Sequence, residues 1–299
     1  MVTEGIAKQY PKRIMDFPPD ETSLIAAGVG YSQAGLLPIV EIPYAKYLDC
    51  GADIFFEAAI SNWLTNGQQP NGMIIRLQGF DRGVFGGNFH THNMLHIPPG
   101  VDVVCYSNGH DYAKGFRYLV QQAKAGRMVM SVDSTNLLNL RHVQDRDDAW
   151  RRVYPSDVND HLTFDDVISY PPTNAGGGQG DAVAIVTYGN GVVTALQARK
   201  ELEDSHGWHN ITVIDSPLLS AVPAGLKKAL PAYKQVVFAD ICKEGQNPLS
   251  GHVALLQQER LLPQQWRCVA APRTYNPLGS VITFLNVPDV VGAVNSLRE

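Results

Sequence analysis

The chain reads as an α/β protein made of two tandem, mostly parallel, doubly wound domains. Three observations carry that reading. Short apolar runs of strand length alternate with helix-length stretches through the first half, the pattern lapses between Gln144 and Gly180, and an equally regular alternation resumes at Asp181. At 299 residues there is enough chain for each half to bury its own core. The expected division is a first domain over 1–143, a connector over 144–180 and a second domain over 181–299.

In the first half, the runs Leu36 to Ile42, Met73 to Leu77, Val101 to Tyr106 and Met128 to Val132 are apolar enough to be buried strands. Helices are expected over Glu21 to Ala34, Tyr47 to Thr65 and Asp111 to Ala125. In the last of these, Ala113, Phe116, Val120 and Ala123 recur at three- and four-residue steps, and Gly126 supplies a stop. The connector holds many acids and arginines, then Pro171, Pro172 and three consecutive glycines from Gly176, and so reads as a long surface crossing.

The second half reads as strand Ala182 to Tyr188, helix Val192 to Ser205, strand Ile211 to Asp215, helix Ala224 to Leu230, strand Gln235 to Asp240, helix Pro248 to Leu261 and strand Arg267 to Ala271. Gly207 closes the first of these helices. Asn247 and Pro248 open the third with a cap and a residue that has no amide to leave unpaired. Tyr188-Gly189-Asn190-Gly191, between a strand and a helix, lacks the downstream glycine of a dinucleotide fingerprint and is expected to be a plain tight turn.

Composition narrows the function classes. Apolar residues at 44% and charged residues at 18% give an ordinary globular balance rather than a disordered one. A formal charge of -5 and the lack of any Lys/Arg run argue against a nucleic-acid partner. No apolar run approaches the roughly 20 residues that span a bilayer, so no membrane is expected. The first residues lack a secretory signal, which suits a cytoplasmic setting, or an organelle matrix after removal of a transit peptide. Cys50, Cys105, Cys242 and Cys268 form no Cys-x-x-Cys pair and are expected to be reduced, mostly buried thiols.

Three places hold residues suited to chemistry. Glu21 follows Pro18 and Pro19 where a helix should begin; locally, that is an acid helped by the helix dipole. Tyr47, with Tyr44 as its rival one turn earlier, stands at the start of the next helix. His90, His92 and His96 cluster in a short loop, but no fourth ligand for a zinc ion is evident.

Taken in order, RIMDFPPDE, then AGLLPIVEIPYAKY, then GGNFHTHNMLHIPPG, then VDVVCYSNGHDYAKG resembles the beta subunits of 2-oxo acid dehydrogenase first components, and VTYG with the series beyond it resembles the C-terminal domain shared with transketolases. The resemblance covers nearly the whole chain. It implies a transketolase-like pyrimidine-binding domain followed by a transketolase C-terminal-like domain, and thiamine diphosphate as cofactor. By the resemblance, Glu21 hydrogen-bonds N1′ of the cofactor's aminopyrimidine, and burial should keep a proton available there. Tyr47 lies against that ring. His90 matches a histidine that orients or protonates the 2-oxo acid, and His96 a more structural one.

The sequence departs from the family where Thr91-His92 replaces Ser-Gln, where the loop from Gly86 to His96 is shorter, and where Pro19-Asp20 precedes the glutamate. Gly-Asp-Gly with a downstream Asn, the pattern that holds the diphosphate through a divalent metal, is absent. The Mg2+ is therefore expected on an alpha-type partner chain, with an α2β2 assembly and a possible acyltransferase core. An N-terminal strand and helix usual in the family are also missing, and an unpaired sheet edge is a further reason to expect a tight neighbour. The resemblance implies decarboxylation of a 2-oxo acid with transfer of the acyl or aldehyde unit. A split transketolase acting on a ketose, and a non-catalytic assembly subunit, are the alternatives.

Overall fold

The computed structural model describes residues 5–69, 71–80, 82, 98–172, 182–245, 247–276 and 283–298, and the backbone alone at 86–87 and 91–92. Its framework is two mostly parallel sheets. The first takes β1 (Ile39–Ile42), β2 (Met73–Gly79), β5 (Val101–Val104) and β6 (Met128–Ser134) in the order β1-β2-β6-β5, all parallel. β3 (Gly86–Gly87) and β4 (Thr91–His92) form a separate two-stranded ribbon. The second sheet runs β11-β10-β8-β9-β7, from β7 (Ile168–Tyr170), β8 (Val183–Thr187), β9 (Ile211–Asp215), β10 (Gln235–Lys243) and β11 (Gln265–Ala271). Only β7 is antiparallel to its neighbour. The α/β class with two parallel layers is as expected from the alternating pattern.

Eight α-helices are described: α1 (Ile6–Gln9), α2 (Glu21–Gln33), α3 (Ala52–Leu64), α4 (Gly109–Lys124), α5 (Gly191–Ser205), α6 (Ala224–Ala229), α7 (Pro248–Gln258) and α8 (Val287–Asn295). α2 and α3 cover one face of the first sheet through Ile25, Phe55 and Ala58 against Val40, Ile42 and Met73. α4 covers the other, with Leu119 and Ala123 against Ile74, Val104 and Val129. Its buried line is Asp111, Gly115, Leu119 and Ala123, rotated from the stripe that spacing suggested. The cause is Gly115, where a Cβ would lie 1.9 Å from Cζ of Tyr106, so helix and strand end meet across a glycine. Asn108 caps α4 by accepting from the His110 amide, and Gly126, at φ 91°, ends it.

Four expectations need correction. The helix placed over Tyr47 to Thr65 is a 3-10 turn, Ala45–Gly51, followed by α3. The connector is not wholly at the surface: Trp150 and Val143 are buried, Arg117 donates to the carbonyls of Pro155, Asp157 and Asp160, and β7 lies within it. α8 was not foreseen. Of the four thiols, Cys105 and Cys242 are buried but Cys50 and Cys268 are exposed, because Cys50 sits in the 3-10 turn and Cys268 on the edge strand β11.

The two sheets are stitched together. After β9, Pro217 and Leu219 run antiparallel along β5, with Cys105 N donating to Pro217 O at 2.9 Å and Leu219 N to Val103 O at 2.8 Å. The Tyr188–Gly191 turn is closed by Gly191 N to Tyr188 O, as a plain tight turn should be. Gly189, at φ 55°, leaves space for Sγ of Cys105, which a Cβ would approach to 2.8 Å. Strand order reverses around β8, and in such sheets the crevice beyond the strand ends is the usual ligand site. Here Cys105 fills part of that space. Among the described residues, no helix is long and apolar enough to cross a membrane.

Candidate active site

Glu21 is the first residue of α2, and Asp20 is its N-cap. The Ser23 hydroxyl bonds the Asp20 carboxylate and draws its pKa below the usual range, so an anion is fixed beside the helix N-terminus. Pro18 and Pro19 keep the approach extended, because a residue before proline is held out of the helical region. Glu21 is half-buried. What it faces is set by the 3-10 turn: α2 packs on that turn, and the Thr22 hydroxyl donates to Cys50 O at 3.1 Å.

Tyr47 lies in the same turn, half-buried and packed on the core formed by α2 and α3. Tyr44, at its N-cap, meets Tyr47 edge to face with ring centroids 5.7 Å apart. The structure therefore brings a carboxylate and an aromatic pair onto adjoining elements at one end of the first sheet. The backbone of β4 reaches the same turn. His90 and His96 lie outside the described residues, as does the side chain of His92.

Sequence reasoning missed a buried ionic network on the other face of the same sheet. Arg76, 3% exposed on β2, pairs with Asp133 of β6 at 2.5 Å and Glu41 of β1 at 3.0 Å, and donates to the Tyr112 hydroxyl at 3.2 Å. Burial opposes the guanidinium charge, but Asp133, Tyr112 and Glu41 together raise its pKa. The signal was available: a charged residue in each of two apolar strands. The network ties three neighbouring strands at the face opposite α2 and α3 and holds the sheet that carries the site. Among the described residues, no group of three or more His, Cys, Asp or Glu is placed to hold a metal.

No protein-family model matches the chain. It is similar to the beta subunit of acetoin:2,6-dichlorophenolindophenol oxidoreductase of Cupriavidus necator, 29% identical over 143 residues (46% of this chain, 41% of that protein). To the beta subunit of 2-oxoisovalerate dehydrogenase of Pseudomonas aeruginosa it is 35% identical over 118 residues, 38% of this chain and 33% of that protein. The match to the 2-oxoisovalerate dehydrogenase beta subunit of Bacillus subtilis is longer, 27% over 206 residues, 67% of this chain and 57% of the relative. The chain thus spans less than two thirds of the length of these relatives. Among solved structures, a split gene transketolase, an inactive beta4 tetramer, superposes with a TM-score of 0.67 at 17% identity, covering 99% of this chain and 87% of that one. In fold the chain is like the split gene transketolase, and in sequence it is similar to beta subunits of 2-oxoisovalerate dehydrogenase and of the acetoin oxidoreductase, in line with the resemblance of its motif order.

Proposed function

We propose that the chain is the beta-type subunit of a two-chain thiamine diphosphate enzyme that decarboxylates a 2-oxo acid and passes the acyl or aldehyde fragment to an acceptor. The observation that supports this most is the packing of α2, which Glu21 opens, on the 3-10 turn that carries Tyr47 and is capped by Tyr44. A half-buried carboxylate opening one element and an aromatic pair on the element packed against it suit an aminopyrimidine, which needs one hydrogen-bonding partner in its plane and an apolar surface on its face. The three sequence relatives bear the names of beta subunits of an acetoin oxidoreductase and of 2-oxoisovalerate dehydrogenases.

When bound, the cofactor would supply a nucleophilic thiazolium carbon and an electron sink for the bonding pair left behind as carbon dioxide departs. Glu21 would hold a proton at the ring nitrogen N1′, and Tyr47 would fix the ring plane. His90 is the proposed group that orients or protonates the 2-oxo acid. The diphosphate and its Mg2+ belong in this reading to an alpha-type partner chain in an α2β2 assembly, so this chain alone should be inactive. The split gene transketolase neighbour is itself an inactive beta tetramer, and its fold keeps ketol transfer as a second reading.

The test is the chain reconstituted with its co-purifying partner, assayed with pyruvate, branched 2-oxo acids and a ketose phosphate. Glu21→Gln should lower kcat by roughly 10²-fold or more, the scale of a lost general acid-base group. Full turnover with Gln at position 21 refutes the catalytic assignment, and turnover on the ketose phosphate alone selects the second reading.

A further inference from the structure

We infer that Gly51 and Thr22 form a clamp that sets the angle at which Glu21 meets the aromatic turn, and so act as positioning residues for that carboxylate. The inference rests on the role proposed for Glu21. Gly51 closes the 3-10 turn at φ -109° and ψ 20°, a conformation open to any L residue, so glycine is not needed there for backbone freedom. Space is the reason. A Cβ at position 51 would lie 2.9 Å from Cδ1 of Ile25 and 3.0 Å from both C and O of Glu21. Ile25 is 0% exposed and enclosed by the core, so the strain passes to the Glu21 peptide.

The next residue back also holds α2. Cys50 O accepts the Thr22 hydroxyl, joining two adjacent residues of the turn to two adjacent residues of α2. Thr22 and Cys50 are both exposed, so this bond contributes little to stability. Its consequence is geometric. The first turn of α2 has one seat on the aromatic turn, fixed by a close backbone approach at Gly51 and by a directional bond at Cys50. Catalytic alignment is far more sensitive than folding to such a seat, since a displacement of about 1 Å can lower a rate by roughly 10²-fold.

The test uses the reconstituted two-chain enzyme with thiamine diphosphate and Mg2+, carrying Gly51→Ala, Thr22→Val or Thr22→Ser. Gly51→Ala should lower kcat by roughly 10- to 100-fold and Thr22→Val by about 3- to 10-fold, with Thr22→Ser close to wild type, because only the last keeps the donor. A second readout is independent of turnover: the near-ultraviolet circular dichroism band of the bound aminopyrimidine and its pH midpoint should shift in Gly51→Ala and Thr22→Val but not in Thr22→Ser. Should Gly51→Ala not assemble, the two Thr22 variants decide. Unchanged kcat and unchanged dichroism in the assembled Gly51→Ala and Thr22→Val enzymes, with Glu21→Gln still inactive, overturn the clamp and leave the site standing. Full activity of Glu21→Gln removes the site and the clamp together.

Discussion

Substituting Asp240 should tilt the pH dependence of stability in a direction fixed by its surroundings. Asp240 is 2% exposed on β10, and its carboxylate accepts from the Tyr188 hydroxyl at 2.7 Å and from the amides of Cys242 at 2.8 Å and Leu249 at 2.9 Å. Burial outweighs these bonds and pushes its pKa from 3.8 up to about 6. Between those values the unfolded chain releases a proton that the folded chain retains, so this group's stabilising contribution is complete below about pH 4 and lost as pH rises to about 6. A shift of about two units corresponds to about 3 kcal/mol. His252, on α7 and 3% exposed, works in the opposite sense. Burial lowers its pKa from 6.5 to about 4, so its contribution is complete above about pH 6.5 and is lost as pH falls through that window, again by about 3 kcal/mol. The two slopes nearly cancel. Asp240→Asn deletes one of them and turns a donor toward the Leu249 amide, a pH-independent offset of about 1–3 kcal/mol. Urea unfolding at a series of pH values should show the variant gaining about 3 kcal/mol on wild type between pH 4 and pH 7. Parallel stability curves across that range would refute the argument.

Two further outcomes concern the first sheet. Asp133→Ala should destabilise the fold by about 3–5 kcal/mol in denaturant titration, since Arg76 keeps its buried charge with only the half-exposed Glu41 to meet it. Gly115→Ala should lower stability by about 1–3 kcal/mol through collision with the Tyr106 ring, and a second change, Tyr106→Leu, should recover part of that loss.

Strands and helices with a strong period were legible from residues alone, as Ile211–Asp215 and the start of α2 at Glu21 illustrate. Failures came where tertiary contact decides. The 3-10 turn at Ala45–Gly51 owes its end to a glycine chosen for closeness to Glu21, which no local pattern records. β7 is three residues long and exists by pairing with β9. α8 is rich in β-branched residues and looks strand-like, although Asn286 and Asp289, three apart, form the capping box that marked it as a helix. At the candidate site, the prolines and position announced only a helix start at Glu21, and the role proposed for it came from the family resemblance. The edge-to-face contact of Tyr44 with Tyr47 was not legible, because the sequence reading starts a helix at Tyr47 and leaves Tyr44 outside it, whereas a 3-10 turn capped by Tyr44 brings the two rings together.

The stitch of Pro217 and Leu219 along β5 bears on the order of synthesis. All four strands of the first sheet emerge before residue 135, yet the outer rim of β5 gains its cover only some eighty residues later. Until then a nascent chain presents a bare ribbon of amides and carbonyls, a template for unwanted pairing. A fragment truncated ahead of Pro217 should therefore clump during expression, and folding of the front half becomes a task that the back half completes.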